Sequence, residues 1–302
     1  MRRERLIWKK RIRVGSRGSA LALAQTRKVI EELRRIGVDF CWEIVPIKTS
    51  GDRLLEDSPI PLQRGMFVKE VEEALLEERI DLAVHSLKDL PTDLPDGLAL
   101  FAVLEREDPR EAWLSRDGVG FRAIPERATV GTSSVRRKVQ IEALRPDLRV
   151  VPLRGNVSTR IRRMEEGQVD ALVVAAAGLK RLGEESRIVE YFPPEVIVPA
   201  AGQGALAIEG RIGDPLHEII SHLNHWETWY AVETEREFLR FYGGGCQVPV
   251  GALATVREGR VKLLGMIGAH HLVKKASQEG LLEQRIQVAQ SLVEYLRGES
   301  RG

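Results

Sequence analysis

Apolar positions along this chain recur with two periods in alternation, and the alternation itself repeats. Ile12 and Val14 mark a short strand, Ser19 stands where a helix is capped, and Ala20, Leu21, Leu23, Ala24, Val29, Ile30 and Leu33 return at helical spacing. Gly37 closes that helix. Residues 42–47 then read as a strand, 67–78 as an amphipathic helix, and 80–84 as a buried strand. From Ala128 the series restarts, with a strand at 129–130, a turn at 131–134, a helix at 135–144, a strand at 149–153, a helix at 159–166 and a strand at 171–175. Helices alternating with buried strands predict α/β architecture in two halves.

The halves share residues as well as rhythm. Val14-Gly15-Ser16-Arg17-Gly18-Ser19 parallels Val130-Gly131-Thr132-Ser133-Ser134. Ile80-Asp81-Leu82-Ala83-Val84 parallels Val169-Asp170-Ala171-Leu172-Val173, with Lys88 and Lys180 following each. Two matches in one order point to a duplication. Two such domains facing each other form a cleft, and ligands of α/β sheets bind beyond the carboxyl ends of the strands. Stretches rich in charge and proline at 105–109 and 193–199 read as crossings between the halves. A differently patterned tail begins near Trp226: a helix at 233–241, a glycine-rich loop through Cys246, strands at 252–256 and 261–267, and a helix at 281–296, which is α+β order. The expected domains are 11–104 with 205–224, then 105–204, then 226–302.

Composition narrows the class. A chain of 302 residues exceeds one ordinary core, and 43% hydrophobic with 30% charged residues describes a folded globular protein. The 46 Lys and Arg against 44 Asp and Glu leave a net charge of +2, so no protein-wide field exists to hold nucleic acid or an anionic membrane, and any anion site is local. Two cysteines, Cys41 and Cys246, exclude a disulfide framework and favour a reducing cytoplasm. The basic N-terminus lacks the apolar stretch of a secretory signal, and the uncharged run 241–256 holds glycines and Pro249 and is too short to span a bilayer.

The candidate chemistry clusters at strand ends. After the strand at 80–84 comes His85-Ser86-Leu87-Lys88-Asp89-Leu90-Pro91, in which Asp89 reads either as an ordinary turn aspartate or as a carboxylate that moves protons or offsets a developing cation. His85 reads as a hydrogen-bonded strand-end residue. Arginines recur where helices follow strands: Arg17, Arg136, Arg137, Arg154, Arg160 and Arg181. With hydroxyl and glycine turns they suit a ligand bearing several anionic groups. Gly131-Thr132-Ser133-Ser134 lacks the pattern of a nucleotide P-loop. His217, His222 and His225 do not share a helical face, which argues against a metal site, and His270-His271 reads as a turn. Cys246, after three glycines, is either a small buried residue or a nucleophile able to carry a covalent adduct. Cys41 reads as strand packing.

Seven of these motifs, in order, resemble the hydroxymethylbilane synthase (porphobilinogen deaminase) family. They are Arg17-Gly18-Ser19, His85 to Pro91, Gly131 to Arg137, Leu153-Arg154-Gly155-Asn156-Val157, Ala177-Gly178-Leu179-Lys180-Arg181, Pro199-Ala200-Ala201-Gly202-Gln203-Gly204 and Gly243-Gly244-Gly245-Cys246-Gln247-Val248-Pro249. The resemblance implies two α/β domains like type II periplasmic binding proteins flanking a cleft, plus a small α+β C-terminal domain. It implies a cytoplasmic, monomeric transferase that joins four porphobilinogen molecules head to tail, releases ammonia and frees a linear tetrapyrrole with water, the product passing to uroporphyrinogen-III synthase. It also implies a dipyrromethane cofactor attached by a thioether to Cys246.

On that resemblance Asp89 matches the catalytic aspartate. Arg17, Arg64, Arg136, Arg137, Arg154, Arg160 and Arg181 match positions that neutralise carboxylates, and Ser19, Phe67, Ser86, Lys88, Thr132, Ser133, Ser134, Gly155 and Gln203 match positions that line the cleft or hold the cofactor. The stretch Ser58-Pro59-Ile60-Pro61-Leu62-Gln63-Arg64-Gly65 departs from the pattern, its paired prolines implying a stiffer lid. Residues 268–277 look abbreviated. Two other readings remain open: a two-lobed sensor of small anions without catalysis, and a cysteine hydrolase, for which no neighbouring motif supplies a base.

Overall fold

The computed structural model describes residues 11–38, 40–51, 66–243, 249–269 and 272–298. Arg64, Cys246, the paired-proline stretch, the basic N-terminus and His270-His271 lie outside the described residues. Contacts divide the chain into two compact units, 1–106 with 205–229 and 107–204 with 230–302.

In the first unit five strands form one sheet: β1 (Arg11–Arg17), β2 (Cys41–Ile47), β3 (Leu82–Ser86), β4 (Leu98–Val103) and β10 (Leu206–Arg211). Their order is β2-β1-β3-β10-β4, with β10 antiparallel to both neighbours. Alternation of side chains along β1 and β3 builds two layers. Ile12, Val14, Leu82 and Val84 pack with Val29, Ile30 and Leu33 of helix α1 (Ala20–Arg35), while Ala83 and Ile47 pack with Val71, Ala74 and Leu75 of α2 (Lys69–Leu76). Ser19 caps α1 as its sequence position predicts, accepting from the Ala22 N–H at 3.2 Å.

The second unit repeats this sheet with β5 (Glu111–Ser115), β6 (Thr129–Gly131), β7 (Arg149–Val151), β8 (Ala171–Ala175) and β9 (Glu190–Phe192), in the order β7-β6-β8-β5-β9. Here β5 is the antiparallel insertion. The register reproduces the sequence parallel: Val14 pairs with Leu82 and Val130 with Ala171. The aspartates ahead of β3 and β8 make the same closure, for Asp81 accepts from Arg13 N–H at 2.9 Å and Asp170 from Thr129 N–H at 2.7 Å. Gly15 and Gly131 are needed for close approach, since a Cβ would lie 2.3 Å from Ile80 Cδ1 in one and 2.8 Å from Leu153 Cδ2 in the other. Two sheets of one order, each with a single antiparallel insertion, give the paired α/β, type II arrangement that the resemblance implied. Helices α3 (Val135–Leu144), α4 (Val157–Glu165) and α5 (Ala176–Leu182) follow β6, β7 and β8.

A third, antiparallel sheet, β11 (Val250–Arg257), β12 (Arg260–Ala269) and β13 (Leu272–Leu281), is covered by α7 (Trp226–Tyr242) and α8 (Arg285–Arg297); α6 (Leu216–Ile220) belongs to the first unit. Contacts place this sheet with 107–204 in one unit, where the sequence suggested a body of its own from Trp226. The reason is polar stitching: Lys275 Nζ donates to Val196 O at 2.5 Å, Ala252 N to Pro199 O at 3.0 Å, and buried Glu235 accepts from Gly202 N at 2.6 Å and Ala254 N at 2.7 Å.

Several expectations are corrected. The return between units falls at 204/205, past the proline-rich stretch at 193–199, because β10 pairs with β3. Residues 272–281 form a ten-residue strand that the sequence pattern did not indicate. Helix α7 starts seven residues earlier than its apolar pattern indicates, at Trp226 rather than 233. Cys41 opens β2 but is exposed, because the first position of an edge strand has nothing packed over it.

Candidate functional site

In the first unit the functional residues sit where β1 and β3 end. Arg17 is the last residue of β1, and its guanidinium lies over the Phe67 ring, 4.2 Å from the centroid, a cation–π contact that orients the group. Ser86 closes β3, its hydroxyl 2.8 Å from Gln25 Nε2. The chain then makes a single 3-10 turn, Leu87–Asp89, anchored by Leu87, which is buried and whose N–H donates to Ala205 O at 3.1 Å. Lys88 and Asp89 project from that anchor, both half-buried, and the Asp89 carboxylate has no hydrogen bond or ion pair among the described residues.

In the second unit the equivalent ends carry hydroxyls and guanidinium groups. Ser133 Oγ donates to Leu153 O at 2.9 Å, Thr132 Oγ1 accepts from Ser134 N at 3.2 Å, and Ser134 caps α3 through Arg137 N at 3.3 Å. These hydroxyls shape the turn and present α3's N-terminus, which favours negative charge. Gly155 takes φ +106°, letting its carbonyl accept from Arg160 Nε at 2.7 Å. Gln203 is buried and donates to Pro109 O at 2.8 Å, and Arg154 stands in the turn after β7.

The arginines divide into two kinds. Arg136 is enclosed: Nη1 donates to Val198 O at 2.5 Å and Nη2 to Glu111 Oε1 at 2.6 Å, and burial lowers its pKa, the Glu111 charge opposing. That differs from the ligand-facing fork expected of it. Arg137 shares the same carboxylate, 2.8 Å from Glu111 Oε2, yet its buried Nε has no hydrogen-bond partner among the described residues. Arg181 donates from Nη2 to Gly204 O at 2.5 Å, also has an unpartnered buried Nε, and burial pulls its pKa down to about 10 against the attraction of Glu107. Glu111 is the residue the sequence hides. It follows the charged stretch 105–109 and no motif includes it, but β5 buries it completely, and its place beside the apolar run Ala112-Trp113-Leu114 is the signal that could have found it.

A buried donor without a partner costs free energy unless a ligand or water supplies an acceptor. Orphaned guanidinium N–H groups at Arg137 and Arg181, with Arg154 and Arg160 on the neighbouring turns, therefore fit a group rich in carboxylates, which is what two linked pyrroles with acetate and propionate arms present. Among the described residues no group of His, Cys, Asp and Glu is arranged to hold a metal, and no helix is long and apolar enough to cross a membrane.

The described residues thus form a duplicated α/β scaffold with a half-buried carboxylate in the turn after β3 of one unit and buried guanidinium groups at the strand ends of the other, a donor set of the kind that suits carboxylates. The chain belongs to the porphobilinogen deaminase family. The family model for "Porphobilinogen deaminase, dipyromethane cofactor binding domain" matches residues 12–218, and that for "Porphobilinogen deaminase, C-terminal domain" matches 229–299. The chain is 45% identical over 292 residues to the porphobilinogen deaminase of Carboxydothermus hydrogenoformans, covering 95% of this chain and 94% of the relative. It is 50% identical over 256 residues to that of Thermus thermophilus, covering 84% of each. Among solved structures, the periplasmic VFT2 domain of Bordetella pertussis BvgS aligns with TM-score 0.42 at 13% identity over 78% of this chain and 94% of that one, a likeness too slight to bear on function.

Proposed function

We propose that this chain is a transferase of tetrapyrrole biosynthesis that condenses four porphobilinogen molecules head to tail with loss of ammonia and releases the linear tetrapyrrole with water. The observation that carries the mechanism is Asp89, a half-buried carboxylate without a protein partner among the described residues, fixed at the end of a buried strand. As the carbon–nitrogen bond of porphobilinogen breaks and ammonia departs, positive charge builds on the pyrrole. The ionised Asp89 carboxylate offsets that charge and accepts from the pyrrole N–H, help of a kind worth roughly 10²–10⁴-fold in rate. Lys88 stands next to it and Ser86 steadies the turn.

Arg17, Arg137, Arg154, Arg160 and Arg181 bind the acetate and propionate groups, whose number grows with the chain. Thr132, Ser133, Ser134, Gly155 and Gln203 shape the turns that present those donors, and Arg136 holds Glu111 in place behind Arg137. Ser19 offers the N-terminus of α1, and Phe67 orients the Arg17 guanidinium by stacking against it. Arg64 is assigned to the same carboxylates by its place in the motif. A dipyrromethane group, when bound, supplies the pyrrole carbon to which substrate is added, and Cys246 is its thioether attachment point. Three sheets with separate cores support three domains at 11–104 with 205–224, 105–204 and 226–302, the second and third tied by contacts into one compact unit. A self-contained core in each supports a monomer, and the two-cysteine composition supports a cytoplasmic setting from which product passes to uroporphyrinogen-III synthase.

Intact mass and turnover test this together. The purified chain is expected to exceed its polypeptide mass by two linked pyrroles and to convert porphobilinogen with release of ammonia, whereas Cys246→Ser is expected to show the bare mass and no turnover. A bare mass for active wild-type protein would sink the attachment, and tight anion binding without ammonia release would favour a sensor.

A further inference from the structure

The mechanism leaves one group of buried ionisable side chains without a task. On the face of the first sheet covered by α2, His85 Nε2 lies 2.9 Å from Glu209 Oε2, the side chains 5% and 0% exposed. Glu72 of α2 is buried beside them, and both Glu209 and His85 act on it electrostatically. Glu72 Oε1 and Glu209 Oε1 are buried with no hydrogen-bond partner among the described residues. Stability does not account for this arrangement. Desolvating two carboxyl groups and an imidazole costs more than one short contact returns, and a well-packed apolar set of equal volume is commonly as stable or more so.

Its place in the sheet does account for it. His85 is the penultimate residue of β3, paired through the backbone with Ala207 of β10. Three ties fix the exit of that strand: the His85 ring to Glu209, the Ser86 hydroxyl to Gln25 of α1 at 2.8 Å, and Leu87 N–H to Ala205 O at 3.1 Å. The turn Leu87–Asp89 begins at this exit, so the place of Asp89 depends on how the end of β3 is held.

Resting on the reading of Asp89 given above, we propose that the buried Glu72–His85–Glu209 cluster is the positioning device of the acid turn, His85 being held by Glu209 and backed by Glu72 so that Lys88 and Asp89 are set at one place relative to the sheet. These residues act through the turn rather than on the reacting atoms. Hydrogen bonding across the sheet gives them a fixed direction that apolar packing lacks.

The test uses the full chain with its cofactor loaded. The double variant His85→Leu/Glu209→Leu, His85→Gln and Asp89→Asn are compared with wild type for intact mass, thermal midpoint, kcat and KM with porphobilinogen. The double variant is expected to carry the full cofactor mass and to melt at or above wild type. It should lose about tenfold to a hundredfold in kcat, with KM changed by less than about threefold, because a displacement near 1 Å is enough for such a loss. His85→Gln, which still donates to Glu209, recovers most of kcat. A double variant with the kcat of wild type overturns the proposal, as does a loss that follows the thermal midpoint and that His85→Gln does not recover. Should the double variant fail to fold, Glu209→Ala against Glu209→Gln decides: a kcat about fivefold or more lower for Ala supports positioning, and equal values overturn it. An Asp89→Asn variant as active as wild type removes the underlying reading of the site, a result distinct from all of these.

Discussion

The two duplicated sheets part company at the ends of their third strands. In the first unit β3 runs into a 3-10 turn bearing Lys88 and Asp89, whereas in the second β8 runs directly into α5, which bears Lys180 and Arg181. Their antiparallel insertions differ likewise. Glu209 of β10 meets a histidine, and Glu111 of β5 meets two arginines. On the proposed reading one scaffold yields a unit that carries the acid turn and a unit in which buried arginines gather, and the difference lies in a few side chains at equivalent strand ends. Duplication fixes where ligand-facing backbone lies, while the residues there are free to take separate duties.

The largest effects should fall on opposite kinetic constants. Asp89→Asn is expected to lower kcat by roughly 10²–10⁴ with KM changed by less than about threefold, since it removes help given as ammonia leaves. Arg181→Gln is expected to raise KM by about tenfold with a smaller change in kcat, because an anion contact serves substrate and transition state alike. Steady-state kinetics with porphobilinogen on cofactor-loaded protein read both. If the two substitutions moved kcat and KM in the same proportions, the division of labour between the units would be lost.

How far this division could be read from sequence depends on whether partners are near in the chain. Helices α1 and α3 and strands β3 and β8 follow local periodicity, and the parallel that placed Asp81 opposite Asp170 marks positions that make the same closure in both units. Strands β5 and β10 were missed, because each joins its sheet through pairing with a distant segment and each carries a glutamate that reads as a surface charge. The same cause hid the enclosure of Arg136. Its pattern as a helix-start arginine matches that of Arg137; both meet Glu111 of β5, and what separates them is the second bond of Arg136, to Val198 O. Asp89 was legible because a polar cluster follows a buried strand in the sequence itself.

One carboxyl group in each unit should respond to pH with opposite sign. Burial, with the Glu209 charge adding and His85 opposing, pushes the Glu72 carboxyl up from 4.5 to about 7. The fold therefore favours its protonated form, and that stability, complete below the unfolded value, is lost as pH rises through about 7. Asp170 is held below the usual carboxylate range by hydrogen bonds from the Thr129 N–H and hydroxyl, so its contribution is present at neutral pH and lost on acidification. Glu72→Gln is expected to match wild type near pH 5 and to exceed it by about 2 kcal/mol near pH 8. Denaturant midpoints across that range check it, and parallel curves for variant and wild type would remove Glu72 as the titrating group. Facing Glu72 are Glu209 and His85, while Arg211 of β10 donates to Leu75 O at the far end of α2 and takes no part.

The smallest test asks whether the shared scaffold is energetically as well as geometrically repeated. Ser19 and Ser134 occupy the same place in the two units, each closing a strand–turn–helix step and each accepting from a first-turn N–H, at 3.2 Å from Ala22 N and 3.3 Å from Arg137 N. Replacing either by Ala leaves one helix-start donor unsatisfied, at a cost of about 1 kcal/mol. Equal shifts in urea midpoint for Ser19→Ala and Ser134→Ala, measured without substrate, would mean that both caps serve the scaffold alone. A greater loss at Ser134 would have a specific physical source. The N–H it caps belongs to Arg137, whose guanidinium is tied to Glu111, so loosening that turn would also disturb a buried charge pair, whereas Ala22 brings no such partner.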